Sequence, residues 1–171
     1  MTPVPSYLRN TQAVLEALGY WPSFHDAPVI DFRYKQDGAG VVEFTLHGWE
    51  MTPEVDERGY FKLTKRHLVE FAFQQICDAD LERFTSMGNI LFGLGFSTPE
   101  EFEAAGKFRV LLDSAMGGDL CGSFWAERGE VISVFACDKD GKRTEPNGPA
   151  NRSQPVGSQT NRMSPAAGSG G

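Results

Sequence analysis

Three groups of residues in this chain have types and spacings that could do chemistry. His25 and Asp26 are adjacent, as an imidazole and a carboxylate are in a metal site or an acid–base pair. Glu50, Glu54, Asp56 and Glu57 crowd one short stretch, where they could act as acid and base, hold a hard cation or face a basic protein. Cys77, Cys121 and Cys137 offer thiols.

Each group lacks something that catalysis needs. A hydrolytic metal centre built on His25 and Asp26 requires further His and Asp ligands, and the chain has only three histidines. The other two, His47 and His67, are expected at outward positions or strand ends, without ligand-type neighbours. The bland alternative is that Asp26 orients a turn and His25 donates to a backbone carbonyl. The acidic run does not match a calcium loop, and a solvated loop gives no apolar pocket to raise one carboxyl's pKa. It reads equally as a solvated turn or as an electrostatic contact with a basic partner.

The cysteines are odd in number and lack a Cys-x-x-Cys spacing, which predicts reduced, buried thiols rather than a disulfide frame or a zinc site. The sequence has no Gly-x-Ser-x-Gly elbow, no phosphate-binding glycine loop ahead of a helix and no His-Glu-x-x-His helix. A non-enzymatic protein without catalytic residues, metal or cofactor is the expectation.

The 171 residues fit one domain, residues 1–137, and a tail, 138–171. The tail is rich in Gly, Pro, Ser and Asn and reads as disordered. It carries five basic against three acidic side chains, so the net −7 of the chain leaves −9 on residues 1–137. An acidic surface disfavours nucleic acid and anionic membranes, and it suits a basic protein partner. No basic-then-apolar leader and no bilayer-length apolar run is visible, so a cytoplasmic location is expected.

The elements that must position these groups read as α+β. Leu8, Val14, Leu15 and Leu18 predict an N-terminal helix capped by Ser6 and closed by Gly19. Period-two alternation predicts a mostly antiparallel sheet of about seven or eight strands. Ile30, Phe32 and Tyr34 answer Val42, Phe44 and Leu46 across a turn at Asp37-Gly38. Strands follow at Tyr60–Leu63, at His67–Ile76 with Val69, Phe71 and Phe73 inward, and at Ile90–Phe96. In the last of these, Gly93 and Gly95 suggest close approach by the N-terminal helix, with room for a ligand pocket. Thr98-Pro99-Glu100-Glu101 predicts a short second helix ending near Gly106. Strands at 108–112, 120–125 and 131–136 complete the sheet, the last two joined by a hairpin over 126–130. Trp21 and Phe24, between helix and first strand, are either core aromatics or exposed anchors for a partner.

Taken together, Trp21-Pro22-Ser23-Phe24-His25-Asp26-Ala27, His47-Gly48-Trp49-Glu50-Met51, Val69-Glu70-Phe71, Asn89-Ile90-Leu91-Phe92-Gly93-Leu94 and Gly122-Ser123-Phe124 resemble the immunity protein 50 family of bacterial polymorphic toxin systems. The resemblance covers most of residues 15–136 and is sharpest in Trp-x-x-Phe-His-Asp-Ala. Pro28 departs from it, standing where an acidic residue is expected. The resemblance implies a protein that binds and neutralises a toxin domain and so protects the cell that makes it, with Trp21, Phe24, His25 and Asp26 as a family motif of structural role. Glu50, Glu54, Asp56 and Glu57 are the residues expected to meet a basic toxin. The alternatives are a small metal-dependent hydrolase using His25 and Asp26, or a small-ligand-binding module.

Overall fold

The computed structural model describes residues 3–36, 38–85, 88–97, 106–115 and 119–144. Its elements run β1 (Leu8–Arg9), α1 (Thr11–Leu18), β2 (Ala27–Lys35), β3 (Val41–Val55), β4 (Phe61–Gln74), β5 (Cys77–Glu82), β6 (Ile90–Ser97), β7 (Phe108–Ser114), β8 (Cys121–Ala126) and β9 (Arg128–Ala136). The strands form one sheet in the order β1-β9-β4-β3-β2-β6-β7-β8-β5. Every pairing is antiparallel except that of β1 with β9. The class is therefore α+β or mostly β: a mixed sheet with one short helix among the described residues. The described residues hold nine strands rather than seven or eight, because Tyr60–Leu63 and His67–Ile76 merge into β4 while β1 and β5 are added. The second helix expected at 98–106 falls on residues 98–105, outside the described residues.

Chain continuity forces this sheet to fold over. Only Gln75 and Ile76 separate β4 from β5, and only Glu127 separates β8 from β9, yet the members of each pair stand far apart in the strand order. A flat sheet cannot satisfy both connections, so the strands turn corners and two layers face each other. The 126–130 segment is thus a corner and not the expected hairpin: Glu127 N–H donates to the Gln74 carbonyl at 3.2 Å, while β8 pairs with β7 and β9 with β4. Strand β2 belongs to both layers. Its Ala27 and Pro28 pair with β6, and from Val29 onward it pairs with β3. Pro28, which has no N–H to donate, sits where the strand changes partners.

The core between the layers is aromatic. Phe44, Phe71 and Phe73 meet Phe108 and Phe124, all buried, with Phe96 packed against them. The Phe73 ring lies 5.4 Å from that of Phe124 and 6.3 Å from those of Phe96 and Phe108. Gly129 sits at a close approach: a Cβ there would lie 2.5 Å from Leu8 Cδ2, 2.9 Å from Phe108 Cζ and 3.0 Å from Phe73 Cδ1. Gly129→Ala is expected to destabilise the fold by about 1–3 kcal/mol, read as a lower urea midpoint. An unchanged midpoint would show that these side chains move aside freely.

Two bulges change the inward sets read from alternation. One between Val29 and Asp31 turns Val29 and Phe32 inward and leaves Ile30 exposed; another between Leu91 and Gly93 buries Leu91 and Leu94 and exposes Ile90 and Phe92. Gly93 and Gly95 are approached by the Ser23 carbonyl and the Leu111 side chain, not by the helix; a cavity of about 390 Å³ does open beside Gly95, lined by residues 3–7 of the N-terminal segment rather than by the helix.

The helix starts later than its apolar spacing suggests. Leu8 is buried as a strand residue beside Gly129, and Asn10, in the left-handed region at φ 58°, turns the chain before Thr11 without a side-chain cap. Ser6 therefore caps nothing: strand pairing and core burial outweigh another helical turn. Gly19, at φ 87°, closes the helix as expected, its N–H donating to the Leu15 carbonyl at 2.8 Å.

The boundary expected at residue 138 also moves. Residues 138–144 form a turn held by the Asp138 carboxylate, which accepts from the Asp140 and Lys142 N–H groups, both at 2.9 Å. Arg143 lies 3.8 Å over the Phe135 ring and pairs with Glu70. These contacts fold the turn onto β9 and β4. Residues 145–171 are outside the described residues.

Candidate functional site

The Tyr20–Asp26 corner must carry the chain from the helix end to β2, and the sequence drives it inward with two large aromatics. Trp21 and Phe24 are buried, their rings 6.0 Å apart edge to face, and Phe24 lies 5.5 Å from Phe71. Burying Phe24 holds it in the left-handed region at φ 57°, with Asp26 likewise at 58°. Non-glycine residues rarely adopt this backbone, and it concentrates at binding and catalytic sites.

Between these two residues, His25 points outward. Its Nδ1 is 2.9 Å from Asp26 Oδ2, both side chains are half exposed, and its ring rests on exposed Phe92 with centroids 4.6 Å apart. The partner of His25 is thus the neighbouring carboxylate rather than a backbone carbonyl. Among the described residues no group of three or more His, Cys, Asp or Glu side chains could hold a metal. His67 lies elsewhere, its Nδ1 2.8 Å from the Lys65 carbonyl.

The acidic run is not a loop. Its Glu50–Val55 part continues β3, and together with Phe61–Lys65 of β4 it forms a two-stranded ribbon, here the arm. Along the arm β3 has passed the end of its pairing with β2 at Leu46, and β4 has not reached its pairing with β9 at His67. Such a ribbon is marginal alone and needs an anchor. Lys65 supplies it: its ammonium donates to the last-turn carbonyl of Leu18 at 3.1 Å and pairs with Glu50 at 3.0 Å. Lys65→Met is expected to free the arm, seen as faster amide exchange of residues 50–64 with little change in global stability. Unchanged exchange there would remove Lys65 as the tether.

The ribbon is two-faced. Met51 pairs with Leu63 and Val55 with Phe61, so all four share one face. Met51, Val55 and Phe61 are more than half exposed, and Tyr60 at the turn is 70 % exposed. The carboxylates expected to meet a partner are engaged otherwise: Glu50 with Lys65, Glu54 with Lys62 at 2.9 Å, and Asp56 with the Arg58 and Tyr60 N–H groups at 2.8 and 3.0 Å. Glu57 has no ion-pair partner among the described residues.

Arm and corner enclose a cleft of about 410 Å³ where β2 peels away from β3. Tyr20, Phe24 and His25 line it on one side, and Gly48, Trp49 and Met51 on the other. The structure thus brings the Trp-x-x-Phe-His-Asp motif and the start of the acidic run to one place. Sequence reading missed the apolar face of the arm, although Met51, Val55, Tyr60 and Phe61 stand in plain view around the charges.

His47, expected to face outward, is buried under the 138–142 turn, 5.1 Å from the Trp49 ring, with Nε2 unpartnered among the described residues. Burial first, and then the Arg66 guanidinium, depress its pKa, against an opposing pull from Asp138. With the folded pKa below the ordinary 6.5, the unfolded chain takes up the proton first on acidification. Stability from this group is therefore present above about pH 6.5 and lost as pH falls through the folded pKa, with a slope of at most about 1.4 kcal/mol per pH unit. His47→Leu should flatten that part of a urea-midpoint-against-pH profile; an unaltered profile would assign the dependence elsewhere.

All three cysteines are free, but only Cys137 is buried; Cys77 and Cys121 are half-buried. Burial pushes the Cys137 thiol pKa up, away from the reactive thiolate. No helix among the described residues is long and apolar enough to cross a membrane. No family model, curated protein or solved structure matches the chain.

Proposed function

We propose that this chain is a cytoplasmic immunity protein that binds a basic toxin domain of a polymorphic toxin system through the arm and the adjoining cleft, and so neutralises it. The observation that carries the reading is the arm: a tethered ribbon with one face of exposed Met51, Val55 and Phe61, running into an aromatic cleft. Exposed apolar patches rimmed by charge mark protein interaction sites. The −9 charge of residues 1–137 supports a basic partner and fast encounter with it. The likeness to the immunity protein 50 family supplies the class of partner.

In this reading the carboxylates steer and the apolar face holds. The association rate should fall as salt rises, and reversing Glu54, Asp56 and Glu57 to Lys should slow association by roughly an order of magnitude. Stopped-flow mixing with a candidate toxin domain measures both. A rate indifferent to salt and to the triple reversal would remove electrostatic steering.

A further inference from the structure

We propose that the 138–144 turn is an acid-released latch: protonation of His47, buried beneath it, lifts the turn off β3 and β4 while the strands stay paired. The latch needs no partner and stands apart from the binding reading above.

The turn closes directly on the imidazole. At Gly141, in the left-handed region at φ 72°, a Cβ would lie 3.5 Å from His47 Nδ1 and from Ile30 Cδ1, and 4.0 Å from Leu68 Cδ2. His47 is 4 % exposed, and its Nε2 is buried without a hydrogen-bond partner among the described residues. A neutral ring can leave that nitrogen as a bare lone pair. An imidazolium must donate from both nitrogens, and here Nε2 has nothing to donate to. Opening the turn gives the ring water, and little structure is lost in doing so. Strand β9 ends at Ala136, and the turn is fastened by Arg143, paired with Glu70 over the Phe135 ring, and by the Thr144 N–H, which donates to the Ala136 carbonyl at 2.9 Å.

The groups around His47 also resist a proton in the closed state. Arg66 of β4 places its guanidinium 5.7 Å from the centre of the Trp49 ring, the same ring that His47 meets edge to face. Burial first, and then this cation, disfavour the imidazolium; the Asp138 carboxylate of the turn favours it more weakly. Hydrogen bonds, that from the Lys142 N–H foremost, hold the Asp138 carboxyl below the ordinary carboxylate range, so it stays ionised where His47 titrates, with the Lys142 ammonium adding a cation beside it. The Cys137 thiol, pushed up by burial, stays neutral there, and Ile30 and Leu68 bring no charge. With the closed ring's pKa below the ordinary 6.5, the open form takes the proton first. Opening therefore grows as pH falls below about 6.5, by at most about tenfold per pH unit.

The test is amide exchange of the intact chain by NMR at about pH 7.5 and about pH 5.5, each rate divided by that of an unstructured peptide at the same pH. Protection of the Thr144 amide is expected to fall about three- to tenfold on acidification, while the Val69 amide of β4 keeps its protection within about twofold. The nuclear Overhauser contact between Gly141 and the Ile30 methyl should weaken alongside. His47→Phe, which takes up no proton, should hold Thr144 protection constant across the range. Arg66→Gln leaves the buried ring in place and removes the neighbouring cation, so the fall at Thr144 should shrink. Unchanged Thr144 protection in the parent, an equal fall in His47→Phe, or a fall at Val69 in step with Thr144 would overturn the latch.

Discussion

The double variant Met51→Asp, Phe61→Asp is expected to lose at least 100-fold in affinity for the toxin domain, while its unfolding temperature stays within a few degrees of the parent. Both side chains are more than half exposed on the arm, away from the core between the layers, so the fold gives up little when they change. A partner seated on this face would instead meet two carboxylates where it needs apolar contact. A loss of 100-fold is about 2.7 kcal/mol, the size of one interface hot spot. The choice of aspartate separates causes. Added negative charge favours encounter with a basic partner, so a loss of affinity must come from the holding contacts and appear in the dissociation rate. Surface plasmon resonance for the rates and a thermal melt for the fold check the two halves. Unchanged affinity would move the interface elsewhere.

The second large effect is expected in the core. Phe73→Ala should destabilise the domain by about 3–5 kcal/mol and lower its melting temperature by roughly 10–20 °C. Phe73 is fully buried and touches rings from both layers: Phe44 at 5.4 Å and Phe71 at 6.2 Å on one side, with Phe124, Phe96 and Phe108 on the other. The flanking corners, β4 to β5 and β8 to β9, prevent the layers from closing on a void of that size. Phe73→Leu should recover more than half of the loss, because most of the volume returns. A thermal melt of both variants decides this. A Phe73→Ala melt within a few degrees of the parent would mean that the layers do not depend on this contact.

Much of the sheet was legible because alternation is local. Val69, Phe71 and Phe73 face inward as their spacing requires, and Phe32 pairs with Phe44 across the first hairpin. What was not legible depends on partners distant in sequence. Leu8 fits a helical stripe as well as a strand, and only pairing with Gly129 decides between them. Ile30, Ile90 and Phe92 fit the inward pattern until a bulge turns each outward, and a bulge has no signature in hydrophobic spacing. The corner at Glu127 looked like a hairpin because both strands flank a Gly-containing turn; their true neighbours lie ten or more residues away.

The site shows the same division. His25 and Asp26 drew attention as chemistry, and the acidic run as charge. Nothing local in the sequence shows that β3 continues through Glu50–Val55, so the run looked like a loop. Once it is a strand, its carboxylates pair with Lys62 and Lys65 and its apolar residues line up on one face. The union of corner and arm follows from Lys65 reaching the Leu18 carbonyl across 47 positions of sequence, which no periodicity encodes.

The most direct test of the central claim is protection in living cells. Bacteria expressing a candidate toxin domain should grow when the wild-type chain is co-expressed and should fail to grow with equal amounts of the folded Met51→Asp, Phe61→Asp variant. Growth with both, or with neither, would contradict binding and neutralisation through the arm.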